Sequence, residues 1–370
     1  MTPEEKLALI KINSFTYLRT DWLERLLEIF GNGQNILQQT PKTLSEEGKI
    51  SLETAEYFLK SALNLDAEQE IESTAKVGGH IYIKGEEGYP QEFLNIKEPP
   101  LVIYVRGNLN TELAPTVAIV GTRKITPYGR RATVKLAGDL AESGIIVVSG
   151  LARGVDSVAH AEAVKRKKPT WALIGTGIGR CYPAENKELA LGIIENGGAI
   201  ISEYPFATAP LAQHFPRRNR LIAALSRIVL VVEGEVKSGA LITAKMALEQ
   251  GLDIFAVPGP IDSPTSGGPN KLIKEGAGIC LDARDIIDSL PVNIKSNLEI
   301  KELYKEKKEI LDISPEEEKI LNAVGDGETT IDELAEKLNM DVPGLSTILF
   351  SLEISGYLRC EEGKYSKKIF

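Results

Sequence analysis

Residues Phe215 to Arg220 read FPRRNR, three arginines and an asparagine between two strand-like apolar runs. Arginine's planar fork binds phosphate oxygens two at a time and can stack flat on a base. The run therefore points to an anion carrying several phosphates rather than to a small neutral ligand. A solvated helix start is the competing account of any such charge run. Other turns of the same region carry phosphate-cradle chemistry, and taken with them the polyanion reading prevails.

The first is VAIVGTR, where Gly121, Thr122 and Arg123 leave a strand and Pro127 is placed to open the next helix. Glycine lets the backbone come close to an anion, a helix N-terminus offers free amides, and Arg123 adds a fixed charge. The second is VVSGLARGVDSVAH, residues 147–160. Here Ser149 and Gly150 end a strand, Arg153 and Gly154 fill the loop, and Asp156 is expected to cap the helix that carries His160. His160 falls one turn past Asp156, so it reads as a locally hydrogen-bonded side chain rather than a general base.

The third turn, LIGTGIGRCYPAENKEL, joins Gly175, Gly177 and Gly179 to Tyr182, Asn186 and Lys187, a combination that suits a nucleotide. In VEGEVKSGALITAKMALEQG, Ser238 and Gly239 precede a helix, which fits either an oxyanion or tight helix-on-sheet packing. G-x-G-x-x-G is lacking, and the second strand ends in Ser149 rather than in an acid for a ribose, which disfavours a dinucleotide cofactor. Ser-His-Asp, H-E-x-x-H and Walker A patterns are lacking too. The residues speak for binding and not for catalysis, with no catalytic residue, cofactor or metal ligand assigned.

The elements that must hold these turns alternate between strand and helix from residue 115 to about 288. The strands VAIV (117–120), IIVVS (145–149), WALIG (171–175), AIIS (199–202), IVLVVE (228–233) and DIFAV (253–257) are short and uninterruptedly apolar, as strands buried on both faces are. The pattern predicts an α/β fold, a doubly wound parallel sheet with its ligand beyond the carboxyl ends of the strands. Residues 80–110 are extended, with LVIYV as a further strand, and join the sheet in a domain spanning 80–288. Residues 1–70 form a small helical domain whose turn FGNGQNIL fits either a sterile-alpha-motif-like or helix-hairpin-helix contact to nucleic acid or a plain connector. Residues 289–313 form a charged linker. Residues 314–370 carry helix, helix, helix and hairpin, the order of a winged helix.

The 370 residues are 43% hydrophobic with a net charge of −9, so anion binding has to be local, gathered against the overall field. No run approaches the roughly 18 apolar residues of a membrane span, and the N-terminus lacks a secretory pattern, which reads as cytoplasmic. Cys181, Cys280 and Cys360 lie too far apart for a disulfide framework or a zinc site.

In its ordered motifs the chain resembles the DNA-processing protein A (DprA, also called Smf) family. The run extends from YPQEFLNIKEPPLVIYVRGN through VAIVGTR, SGLARGVDSVAH, GTGIGRCYPAEN, ISEYPF, FPRRNRLIAALS, VVEGEVKSGALITAKMALEQG and AVPG to GGPNKLIKEGA, about residues 85–282. The resemblance implies an extended Rossmann-like, mostly parallel sheet and a non-enzymatic homodimer. It also implies binding of single-stranded DNA and help in loading RecA onto strands coated by single-strand-binding protein in natural transformation. In such proteins the Arg of the G-[ST]-R turn and the Lys after Y-P-x-x-N contact the strand, here Arg123 and Lys187. By position Gly121, Thr122, Ser149, Gly150, Arg153, Arg217, Arg218 and Arg220 join them. The three arginines of FPRRNR divide between ligand contacts and structural ion pairs, with Arg220 first in line for the latter.

Ala190, one turn past Lys187, departs from an aromatic that would stack on a base, leaving Tyr182, Phe206 or Phe215 to supply one. The winged helix has no Lys or Arg on its third helix, which suits a protein-interaction or regulatory module with Lys364, Lys367 and Lys368 as its basic patch. Two alternatives share the fold: a nucleotide phosphoribohydrolase of the LOG class, whose P-G-G-x-G-T-x-x-E signature is replaced by a loose echo around Glu233, and a nucleotide sensor.

Overall fold

The computed structural model describes residues 1–16, 20–111, 114–295, 298, 315–324, 329–354, 357–361 and 363–367. The chain divides into two compact units, Met1–Leu303 and Tyr304–Phe370. Most of the expected linker 289–313, and Lys368 of the expected basic patch, lie outside the described residues.

Among its described residues the first unit holds nine strands: β1 Gly79–Ile83, β2 Val102–Gly107, β3 Thr116–Val120, β4 Ile146–Ser149, β5 Thr170–Leu173, β6 Ala199–Ser202, β7 Ile228–Val231, β8 Asp253–Ala256 and β9 Gly278–Ile279. They form one sheet in the order β1-β2-β6-β5-β4-β3-β7-β8-β9. From β6 to β9 every pairing is parallel; β2 joins β6, and β1 joins β2, antiparallel. This is the extended, doubly wound, mostly parallel sheet expected from the sequence.

The two-residue strand period explains why the strands are apolar throughout. Val117 and Ile119 of β3 pack on one face with Leu136 and Leu140 of the helix Pro127–Glu142 and with Ala159. Ala118 and Val120 point the other way, toward Leu221 and Ile222 of the helix His214–Ala224 and Ala240, Ala244 and Ala247 of the helix Gly239–Glu249. With helices on both faces, a polar strand side chain is costly unless paired, as Thr170 is with the Val147 carbonyl.

The chain before β1 folds into helices Pro3–Asn13, Thr20–Phe30, Gly33–Leu37, Pro41–Gly48, Leu52–Asn64 and Ala67–Lys76. Trp22 and Phe58 cross edge to face at 4.8 Å in their core, which continues onto Tyr104 of β2 and Ile200 of β6. In the turn FGNGQNIL, Gly33 N–H donates to Glu5 Oε1 at 2.8 Å and Gln34 N–H to Glu5 Oε2 at 3.2 Å. The amides of Gly33 and Gln34 are thus held within the chain, as in a connector.

In the second unit, helices Pro315–Val324, Ile331–Leu338 and Val342–Ile354 enclose Ile320, Leu334, Leu345, Leu349 and Leu352. Strands β10 Thr329–Thr330, β11 Leu358–Glu361 and β12 Lys364–Lys367 pair antiparallel in the order β10-β12-β11, completing a winged helix. Thr330 and Glu333 form a capping box at the second helix. The third helix carries no Lys or Arg, and Phe350 is exposed on it.

Candidate nucleic-acid interface

The expected ligand edge lies where β3, β4, β5 and β7 end. Close packing of their loops explains the glycines there better than close approach of an anion does. A Cβ on Gly121 would lie 2.4 Å from Val155 Cγ2, and one on Gly154 would lie 2.2 Å from the Thr122 carbonyl oxygen. Gly154 also has φ +78, a left-handed conformation that costs glycine little. Thr122 N–H donates to the Glu233 carbonyl at 2.7 Å, and its own carbonyl accepts from Val155 N–H at 3.2 Å. The loops after β3, β4 and β7 are thus sewn together.

The inner cradles of this edge are filled by the chain's own carboxylates. Glu233, buried after β7, accepts from Thr126 N–H at 3.0 Å, Thr126 Oγ1 at 2.5 Å and Thr265 Oγ1 at 3.2 Å. It therefore occupies the N-terminus of the helix Pro127–Glu142, where sequence reading put free amides for a phosphate. Asp156 does not cap its helix. Its Oδ2 accepts from Gly150 N–H at 3.1 Å and Ala152 N–H at 3.4 Å, closing the loop after β4. Burial pushes the Asp156 carboxyl up, opposed by Arg218 and by these amides.

The arginines of FPRRNR turn inward. Arg218 is 4% exposed; its Nη1 donates to the Gly150 carbonyl at 2.8 Å and to the Leu173 carbonyl, clamping the ends of β4 and β5. Burial draws its guanidinium down to about 10, and Asp156 partly offsets this. Arg220, 8% exposed, forms a fork with Glu203, Nη1 to Oε1 and Nη2 to Oε2 both at 2.7 Å, and donates through Nε to the Glu98 carbonyl at 2.9 Å. Burial pushes Glu203 up, but Arg220 and Arg217 outweigh it and hold the carboxyl below its usual range. Arg217 is half-buried and reaches the Thr16 carbonyl at 2.6 Å, toward the helical region. The polyanion reading of this run is therefore corrected for Arg218 and Arg220. A buried guanidinium needs fixed partners, and both have them.

Ser149 is likewise buried, donating Oγ–H to the Ile119 carbonyl at 2.7 Å, and Gly150 lies beneath Arg218, so neither faces solvent. His160 is fully buried with Nδ1 2.8 Å from Thr170 Oγ1, and burial drives its imidazole down to about 3. It is hydrogen-bonded as expected, though to the neighbouring strand rather than to Asp156, and no substrate proton can reach it.

The groups that do face solvent form an outer rim. Arg123 is exposed, and its Cζ stands 5.5 Å from the centroid of the Phe215 ring. Phe215 in turn meets Tyr182 at 5.5 Å, tilted 42°. Arg153, exposed, forms a fork with Glu185, Nε to Oε1 at 2.5 Å and Nη2 to Oε2 at 2.8 Å. Lys187 opens the helix Lys187–Glu195, also exposed, and Asn186 Nδ2 anchors that helix start to the Leu151 carbonyl at 2.9 Å.

Arg123 and Tyr182 thereby meet on Phe215, Arg153 meets Glu185, and Lys187 follows in the same stretch of chain as Tyr182 and Glu185. Gly121 and Thr122 support this rim from behind. Glu185 and Glu233 were not foreseen as site residues. The sole signal was position, Glu185 falling two residues before Lys187 and Glu233 two residues after β7.

At Gly239 nothing stands within 4 Å of an added Cβ, so packing does not account for that glycine. Among the described residues, no group of three or more His, Cys, Asp or Glu side chains is placed to hold a metal ion, and no helix is long and apolar enough to cross a membrane.

The family model DNA recombination-mediator protein A matches residues 80–291, and the model DprA winged helix domain matches residues 306–364. Protein Smf of Escherichia coli (strain K12) is 37% identical, covering 77% of this chain and 76% of that protein. Protein Smf of Synechocystis sp. is 32% identical, covering 94% of both. Among solved structures, DNA processing protein A of Streptococcus pneumoniae superposes with a TM-score of 0.63 at 31% identity, over 76% of this chain and 96% of that one. DNA processing protein A of Helicobacter pylori, described for its single-stranded DNA binding mode, gives a TM-score of 0.51 at 31% identity, over 57% of this chain and 94% of that one.

Proposed function

Because the chain belongs to the DNA recombination-mediator protein A family, we propose that it binds single-stranded DNA along the outer rim and acts as a non-catalytic recombination mediator. The observation that carries this is the contrast between filled inner cradles and an open cationic rim. Glu233 and Asp156 hold the amides where a buried mononucleotide phosphate would sit, and like charge repels it. Arg123, Lys187 and Arg153 stand outside, where a backbone can pass and a small nucleotide finds no enclosure.

Arg123 and Lys187 are the direct phosphate contacts in this reading, with Arg153 becoming one once it is released from Glu185. Thr122 contributes its hydroxyl, Gly121, Ser149 and Gly150 shape the loops, and Arg217, Arg218 and Arg220 hold the framework. The wider role follows the family: cytoplasmic protection of incoming strands in transformation and delivery of RecA onto DNA coated by single-strand-binding protein. A homodimer belongs to the same reading, and the exposed Leu248, Ile279 and Leu281 near the β9 edge of the sheet favour it. The lack of Lys and Arg on the third winged-helix helix favours a protein-interaction role for that domain.

Titrating the full chain with labelled single strands, duplex and RNA at several salt concentrations tests the proposal. Tight, salt-sensitive binding of the single strand is expected, with no free base released from nucleoside monophosphates. Release of a base would favour the phosphoribohydrolase, and stabilisation by mononucleotides alone would favour the sensor.

A further inference from the structure

We infer that the Tyr182 ring is the shelf on which a base of the bound strand stacks; the inference rests on the strand-binding reading above. Three aromatics lie near the rim, and their surroundings separate them. Phe206 packs over Gly179, where an added Cβ would lie 2.4 Å from Phe206 Cε1, and its backbone N–H is held by the Glu70 carboxylate. Phe215 is engaged by Arg123 and Tyr182 and rests against Gly175, where an added Cβ would lie 2.9 Å from Phe215 Cδ1. Tyr182 remains 41% exposed.

Its loop is fixed on all sides. Gly177 N–H donates to the Thr208 carbonyl at 3.1 Å, Gly179 N–H to the Phe206 carbonyl at 3.0 Å, and Arg180 Nε to the Ala207 carbonyl at 2.7 Å. Asn186 closes the far end on Leu151. A large ring held exposed by a rigid loop loses little conformational freedom when a ligand covers it. Its placement also suits a strand, because Phe215 links it to the Arg123 cation on one side and Lys187 follows five residues later on the other. Bases and phosphates alternate along a chain, and so do ring and cations here. Ala190 packs partly buried against the core and offers no ring, so Tyr182 takes the stacking task.

Stacking on an aromatic strengthens binding by roughly five- to a hundred-fold per base and tolerates any sequence. The experiment compares two labelled strands of about 20 nucleotides, oligo(dT) and an abasic strand of equal length, binding to the full-length wild type, Tyr182→Ala and Tyr182→Phe. Wild type is expected to prefer oligo(dT) by about ten-fold. Tyr182→Ala should lose that preference while binding the abasic strand as wild type does, with an unchanged salt slope and melting temperature. Tyr182→Phe should keep the preference. Equal binding of both strands by wild type, a preference surviving in Tyr182→Ala, or its loss in Tyr182→Phe would each overturn the inference alone. Wild type binding neither strand would overturn the strand-binding reading as well.

Discussion

Asp156 and Arg218 grip the same residue from opposite sides: the carboxylate accepts the Gly150 N–H at 3.1 Å and the guanidinium donates to the Gly150 carbonyl at 2.8 Å. An added Cβ on Gly150 would meet both, at 2.4 Å from Arg218 Nη2 and 2.7 Å from Asp156 Oδ2. The pair turns what looks in sequence like an anion cradle into a closed, self-neutralised joint. On the proposed reading, recognition falls to the residues outside it.

Replacing Arg218 by Ala is expected to destabilise the fold by about 3–5 kcal/mol, since it leaves the Asp156 charge and two strand-end carbonyls without their buried partner. Urea denaturation reads this directly. A variant that unfolds like wild type but no longer binds DNA would instead make Arg218 a ligand contact.

On the proposed reading, Glu185 competes with phosphate for Arg153. Glu185→Gln removes the competing charge while keeping a similar shape, so single-strand affinity should rise several-fold and the salt slope should steepen by about 0.7 as one more phosphate is neutralised. An affinity unchanged or lowered in Glu185→Gln would take Arg153 out of the binding surface.

Acid sensitivity follows from His160. Its folded-state pKa of about 3 lies below the roughly 6.5 of an unfolded chain, so between these values the unfolded chain binds a proton that the folded one refuses. Its share of stability is intact above about pH 6.5 and declines as pH falls toward 3, by about 1.4 kcal/mol per pH unit. His214, also lowered by burial, adds in the same direction. From pH 6.5 to 5 the His160 contribution amounts to about 2 kcal/mol, and His160→Gln should reduce the acid-induced shift in urea stability by about that much. An identical shift in the variant would show that His160 takes up its proton in the folded state.

Much of the sheet was legible because its strands are unbroken apolar runs and its loops begin with Gly or Ser. The antiparallel strand Gly79–Ile83 was visible only as part of an extended stretch, since its burial alternates and its neighbours carry glycines. The rim cations Arg123 and Lys187 were legible from their turns. The roles of Arg218, Arg220 and Asp156 were not, because sequence gives charge but not which partner meets it. Asp156 lies within the first turn of its helix, behind the cap residue Gly154, and its carboxylate reaches back to Gly150, while Arg220 finds Glu203 across 17 residues.

The central claim is that Arg123 and Lys187 on the outer rim hold an unpaired strand. The most direct test is the salt dependence of oligo(dT) binding by the full chain and by the Arg123→Ala/Lys187→Ala variant. Losing two phosphate contacts should flatten the slope of log K against log salt by about 1.4 and weaken binding by ten-fold or more, at an unchanged melting temperature. The same slope and affinity in the double variant would contradict the account.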